Sequence, residues 1–201
     1  MNRLLVATTN PGKIAEYRAL FKSVPLGMVG LREAGINLDI EEAGSTFEEN
    51  ALVKGRAYAQ ASGLLTLADD SGLCVDTLGG APGVFSARYA RSDRARIERL
   101  LGEMQGVPEH QRSARFVCVI ALASPDGYVC TFTGVCKGRI AFRPSGVNGF
   151  GYDPIFYLPD YGCTIADLPI SIKNQISHRA RAAAQARAWL IERMVSQPRK
   201  L

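Results

Sequence analysis

The stretch from Leu64 to Leu73, LLTLADDSGL, constrains the fold more than any other part of this 201-residue chain. Apolar residues fill four of its first five positions, and then come two adjacent carboxylates, a hydroxyl and a glycine. An apolar run bounded by glycines suits a strand buried on both faces of a sheet. Its polar end is expected where the strand leaves the sheet, at the carboxyl edge where ligands of such sheets collect. Adjacent strand residues point to opposite faces, so only one of Asp69 and Asp70 can face a given ligand, with Ser71 beside them. Asp, Ser and Gly are also turn formers, and the tetrad alone leaves both readings open.

A 47% hydrophobic content at this length predicts one globular domain over residues 1–201, with room for a sub-lobe and a core that needs no staples. The net charge of +5 and pI near 9.1 favour anionic partners. The basic residues are spread along the chain rather than gathered into arms, which speaks against stable nucleic-acid binding. Cys74, Cys118, Cys130, Cys136 and Cys163 form an odd set with no CxxC, so they are expected as reduced thiols in a reducing compartment. The apolar segment after Met1 ends too soon for a secretory core, and no run approaches a membrane span. These features predict a soluble cytoplasmic protein.

Four further segments carry chemistry. The first runs from Leu4, Leu5, Val6 and Ala7 as a strand into Thr8, Thr9, Asn10, Pro11, Gly12 and Lys13, and then into helical periodicity through Phe21. A strand, polar turn and helix aim backbone N–H groups and a positive helix end at an anion, although ordinary connections share the pattern and GxxxxGK[ST] is absent. Second, Thr46 and Glu49 form a capping box for a helix that Gly63 stops after Ser62. Asn50 and Lys54 share one face of it, where the lysine taken alone reads as solvated. The acidic pair Glu41 and Glu42 precedes this helix and matters only if folding brings it beside Asp70, because magnesium wants one or two carboxylates plus phosphate oxygens. Third, Gly149, Phe150, Gly151, Tyr152 and Asp153 frame aromatics that could stack on a planar ring or simply pack. Fourth, Ser177 is placed to cap an alanine-rich helix running toward Val195. Its first turn holds His178, Arg179 and Arg181, cations that the helix dipole disfavours unless an anion lies near. Between these segments, a helix from Asp93 to Met104 and two strands, Ala114–Ala123 and Tyr128–Arg143, are expected, the strands antiparallel about the turn Pro125, Asp126, Gly127.

Phosphates, a divalent ion and a planar base would satisfy all of these groups together. The segments TTNPGK, TFEENALVKGRAYA, ADDSGLCVDTLGGAPGVFSARYA, GFGYDPIF and KNQISHRA, in this order between Leu4 and about Arg187, resemble those of the inosine and xanthosine triphosphate pyrophosphatases. The resemblance implies an elongated α/β fold around a central mixed β-sheet, with two lobes flanking a nucleotide cleft, usually as a homodimer. It implies magnesium-dependent hydrolysis of ITP, dITP and XTP to the monophosphate and pyrophosphate. By position, it makes Thr8 to Lys13 the triphosphate-binding turn, Asp70 the catalytic carboxylate and a metal ligand, and Glu41 the second metal-associated acid. Lys54 falls near the phosphates, and Ser71, Phe150, Gly151, Tyr152, Asp153, Lys173, His178 and Arg179 fall in the substrate-binding set. The chain departs from the family pattern at Arg91, where a glycine is common, and at Ser171 and Ile172, where an acidic pair is common. Rival readings are a pyrophosphatase for other modified nucleotides, a nucleotide sensor without turnover, and a basic nucleic-acid-binding protein.

Overall fold

The computed structural model describes residues 3–196. It is a mixed α/β fold with one seven-stranded sheet, in the order β2-β1-β3-β4-β5-β6-β7. The strands are β1 (Arg3–Val6), β2 (Gly27–Gly30), β3 (Leu65–Val75), β4 (Ser113–Ala123), β5 (Val129–Ile140), β6 (Phe156–Leu158) and β7 (Cys163–Thr164). The main helices are α1 (Pro11–Leu20), α2 (Phe47–Ser62), α3 (Asp93–Glu103), α4 (Ile170–Ile176) and α5 (His178–Ser196). β1 runs parallel to β2 and to β3, pairing Leu5 with Val29 and with Thr66. β6 is antiparallel to both β5 and β7. The connection between β4 and β5 is the tight turn 124–128, closed by the Ser124 N–H donating to the Tyr128 carbonyl at 2.9 Å, a link short enough to join only antiparallel strands.

One expectation about β3 fails. The strand does not leave the sheet at Asp69–Ser71 but continues to Val75, with both aspartates buried inside it. The polar residues read as a strand end because a carboxylate is rarely buried without a partner, and here the partners come from other segments.

The chain divides into two compact units, and the division falls within β3, β4 and β5. The first holds the residues up to Asp70, Cys118–Gly134 and the chain from Arg179. Side-chain alternation sorts its core onto two faces. Leu4, Val6 and Leu67 pack with Tyr17 of α1, with Phe21 just after it and with Ala182, Ala183, Ala186 and Leu190 of α5. Leu5, Ala7 and Ala68 pack with Tyr58 of α2 and with Leu31. The small residues let the helices approach closely: a Cβ on Gly55 of α2 would lie 3.3 Å from Ala123 Cβ and 3.4 Å from Ala121 Cβ. α2 starts at the expected capping box, with the Glu49 N–H donating to Thr46 Oγ1 and the Thr46 N–H to Glu49 Oε2, and ends on left-handed Gly63.

The second unit comprises Ser71–Val117 and Val135–His178. Its core sets Leu73, Val75, Phe116, Ile140 and Phe156 of the strands against Ile97 and Leu100 of α3. Arg112 is buried there, donating from Nε to the Ile140 carbonyl (2.7 Å), from Nη1 to those of Met104 (2.9 Å) and Val107 (3.2 Å), and from Nη2 to that of Ala141 (3.0 Å). Among the described residues no disulfide forms, and no helix is long and apolar enough to cross a membrane.

Candidate functional site

The alternation that sorts the first unit's core also separates the two aspartates. Asp69 follows Leu67 onto the α1/α5 face, and Asp70 follows Ala68 onto the α2 face. Asp69 sits among cations: Lys13 Nζ lies 2.9 Å from its Oδ2 and Arg179 Nη2 lies 3.6 Å from the same atom. Burial would raise the pKa of Asp69, but Lys13, Arg179 and Lys54 outweigh it and hold the carboxyl far below the usual range. Asp69 therefore stays ionised. Beneath it, burial and the Asp69 charge push the Cys118 thiol up to about 12 and raise the Tyr17 phenol. The second partner of Arg179 is Glu16 of α1, whose Oε2 lies 2.6 Å from Nη1. Arg179 thus bridges two buried acids at the start of α5, which explains how a cation is tolerated at the positive end of that helix.

Asp70 has the opposite character. Its Oδ2 accepts a hydrogen bond from Asn50 Nδ2 at 2.9 Å. Burial raises its pKa, with Glu42 adding to the rise, and Lys54, Asn50 and Lys13 only partly offset it. Two neighbouring carboxyls are thereby split into a permanent anion and an acid with a strengthened hold on its proton, a division typical of groups that exchange protons in a reaction. Lys54 links the two faces. Its Nζ donates to Glu42 Oε1 (2.5 Å) and to the Asp69 carbonyl (2.6 Å). Burial opposes its charge, yet Asp69, Asp70 and Glu42 overcome that and raise its pKa. The solvated lysine expected from sequence is in fact only 9% exposed.

The segment from Thr8 to Lys13 links β1 to α1 and includes the first turn of that helix, with Lys13 beside this group. Asn10 caps the helix by accepting the Lys13 N–H at 3.1 Å, the Asn10 N–H donates to Thr8 Oγ1 at 3.2 Å, and Pro11 occupies the first helical turn, where its missing N–H costs nothing. Thr9, Asn10 and Pro11 are exposed, and Thr8, Gly12 and Lys13 half-buried. Glu41 is also exposed, whereas Glu42 reaches Lys54. Among the described residues, no three His, Cys, Asp or Glu side chains gather as a protein-only metal centre. Asp70 and Glu42 do lie within each other's field. Magnesium takes one or two carboxylates and completes its octahedron with water and phosphate oxygens, so this donor set fits an ion shared with a phosphate chain.

The other residues of the proposed set lie in the second unit, apart from Arg179. The Phe150 N–H donates to Asp153 Oδ2 at 2.8 Å, and the same oxygen meets Lys173 Nζ at 2.5 Å. Lys173 Nζ stands 4.6 Å from the centre of the Phe150 ring. The Tyr152 hydroxyl donates to the Ser86 carbonyl at 3.0 Å, and Gly151 stands at φ +63° at the turn's apex. Gly149, at φ +79°, is required: a Cβ there would fall 2.0 Å from Asp153 Oδ2. His178 is buried, its ring stacked on Phe116 at 4.7 Å and 14°. Ser71, the residue after Asp70, is half-buried. Phe150, Asp153 and Lys173 thus form one connected group. Sequence reasoning missed Glu16 and Phe116, and it named Glu42 only as one of an acidic pair without its partner Lys54. Glu16 was detectable as an acid three residues after Lys13, on the inward side of α1; nothing in the sequence pairs Phe116 with His178.

Residues 4–189 match the model of the Ham1 family. A protein from Shouchella clausii named dITP/XTP pyrophosphatase is 49% identical over 185 residues, spanning 90% of this chain and 93% of its own. One of the same name from Bacillus subtilis is 46% identical over 185 residues, with the same two shares. Among solved structures, a HAM1 protein from Coxiella burnetii superposes with a TM-score of 0.87 at 43% identity, covering 96% of this chain and all of its own. The Ham1 protein of Staphylococcus aureus gives a TM-score of 0.85 at 43% identity, over 95% of this chain and 99% of its own. With the family match running over nearly the whole chain and these relatives alike along most of their length, this chain belongs to the Ham1 family.

Proposed function

We propose that this protein hydrolyses the triphosphates of deaminated purines, ITP, dITP and XTP, to the nucleoside monophosphate and pyrophosphate, and so keeps these bases out of DNA and RNA. The observation that carries the reading is the division of the aspartate pair on β3: Asp69 fixed as an anion among Lys13 and Arg179, and Asp70 shifted toward a proton-accepting role beside Asn50 and Lys54. Attack of water on the α-phosphorus puts negative charge on the equatorial oxygens and on the leaving pyrophosphate, so catalysis is mostly positioning and cationic stabilisation. Asp70 orients the water and takes its proton. Lys54 stabilises the developing charge, and Lys13 with the N–H groups of Thr9 and Gly12 binds the phosphate chain. Asp70 with the acidic pair Glu41 and Glu42 would hold magnesium, which supplies Lewis-acid stabilisation of phosphoryl oxygens when bound. Glu41 is exposed, and Glu42 is the acid beside Lys54.

Phe150 offers its ring to the purine, backed by Lys173, while donors from His178 and Arg179 suit a 6-keto oxygen. A 6-amino group would present a donor to those donors, and such mismatches discriminate strongly, so ATP is a poor substrate. The same reading makes the protein a cytoplasmic homodimer without stable nucleic-acid or membrane binding; its free thiols and scattered charge support the location and the lack of nucleic-acid binding. The test is pyrophosphate release from ITP, XTP, GTP, ATP and dTTP, each with magnesium and with chelator. Magnesium-dependent release from ITP and XTP, with little from ATP, is expected. Release from dTTP in preference to ITP would move the reading to another class of modified nucleotide, and no release from any of them would end the enzyme reading.

A further inference from the structure

The second unit holds a carboxylate outside the resembling segments that fixes the aromatic turn. Asp93, the first residue of α3, accepts the Gly151 N–H on Oδ2 at 2.8 Å. Its other oxygen lies 2.6 Å from Arg96 Nη1, and Arg96 Nε donates in turn to the Ala90 carbonyl at 3.2 Å. Asp93 is thus aimed by its own helix and bonds a backbone amide of the turn. Close packing does not do this work: a cavity of about 460 Å³ is lined by Asp93 and Ile97 of α3 and by Val147, Asn148 and Phe150 of the turn. Two successive amides are consequently held by two carboxylates, Phe150 N by Asp153 from within the turn and Gly151 N by Asp93 from α3. The first bond sets the turn's internal shape, and the second sets where the turn stands relative to α3.

We infer that Asp93 is a positioning residue for base recognition: through the Gly151 amide it fixes the Phe150 ring where a purine stacks. This rests on the function proposed above. Loss of one charge-assisted hydrogen bond at a half-exposed site weakens binding about two- to tenfold. It should do so in KM for ITP and leave kcat within about twofold, because the groups that act on the phosphorus are elsewhere.

The experiment compares D93A, D93N and S92A with the parent. D93A is expected to raise KM for ITP about two- to tenfold, and D93N to restore it, since the amide oxygen still accepts the Gly151 N–H. S92A removes the cap of the same helix, the Ala95 N–H to Ser92 Oγ bond of 3.2 Å, and should leave KM near the parent value. Inhibition by tripolyphosphate, which has no base, should be unchanged in D93A. Hydrogen exchange at the Gly151 amide, read by NMR, should quicken in D93A and not in D93N. A parental KM in D93A, an equal rise in S92A, or weaker tripolyphosphate inhibition in D93A would each overturn the inference while the parent still turns over ITP. If the parent shows no turnover, the proposed function fails, and unchanged Gly151 exchange in D93A would then separately overturn the role of Asp93.

Discussion

Replacing Asp70 by asparagine separates chemistry from folding at one atom. The amide occupies the carboxylate's volume, and its oxygen can still accept the Asn50 Nδ2 hydrogen bond now 2.9 Å long. The variant loses the acceptor for the water's proton, and a positioned general base contributes about 10²–10⁴-fold. kcat for ITP should therefore fall by about that factor, or about 3–5 kcal/mol of barrier. Stability should move the other way. Burial raises the native pKa of Asp70 above the value of about 3.9 for an unfolded aspartate, so the native state binds the proton more tightly than the unfolded chain. The parent then carries a penalty at pH values above the native pKa, and the penalty fades as pH falls toward the unfolded value. D70N removes that penalty, so its urea midpoint at pH 7 should equal or exceed the parent's, with the advantage shrinking on acidification. Steady-state pyrophosphate release and urea unfolding from pH 4 to pH 8 read both effects. A D70N enzyme with more than about a tenth of the parental kcat would refute the base assignment, since that is less than such groups contribute. A marked loss of stability at pH 7 would refute the account of Asp70 as a buried charge held at a cost.

Three further outcomes follow from the packing. Gly149→Ala forces a Cβ to within 2.0 Å of Asp153 Oδ2 at φ +79°; the turn must shift, and KM for ITP should rise while tripolyphosphate inhibition holds. Arg112→Met strips donors from four backbone carbonyls, which should cost about 3 kcal/mol or more and lower the melting temperature by about 6–12 °C, with kcat per folded molecule unchanged. Lys54→Met leaves Glu42 and the Asp69 carbonyl without their shared cation; kcat for ITP should drop at least about tenfold if Lys54 stabilises the transition state, and a parental kcat would assign Lys54 to structure alone.

Regular features were legible from local chemistry. The capping box at Thr46 and Glu49 and the stop at Gly63 placed α2 to within a residue, because both signals are backbone hydrogen-bonding requirements written in adjacent positions. The hairpin strands were found for the same reason, although the second ends at Ile140 rather than near Arg143. The course of β3 was misread at its polar end. Whether Asp69 and Asp70 can stay inside a sheet depends on Lys13, Asn50, Lys54 and Arg179, which come from α1, α2 and α5. The same dependence hid the pairing of Glu42 with Lys54, since the conformation of a loop decides which of two neighbouring acids meets the lysine. Lys54 taken alone reads as solvated because burial of an ammonium requires anions that only folding assembles. Motif residues were therefore readable as types, while their pairing was a property of tertiary structure.

The central claim is that water activated at Asp70 attacks the α-phosphorus of a deaminated purine triphosphate. The most direct test is turnover of ITP in ¹⁸O-water with magnesium, with products identified by ³¹P NMR and mass spectrometry. The account predicts IMP carrying one labelled oxygen together with unlabelled pyrophosphate, and no such products from D70N on the same timescale. Labelled pyrophosphate with unlabelled IMP, or IDP with orthophosphate, would contradict it.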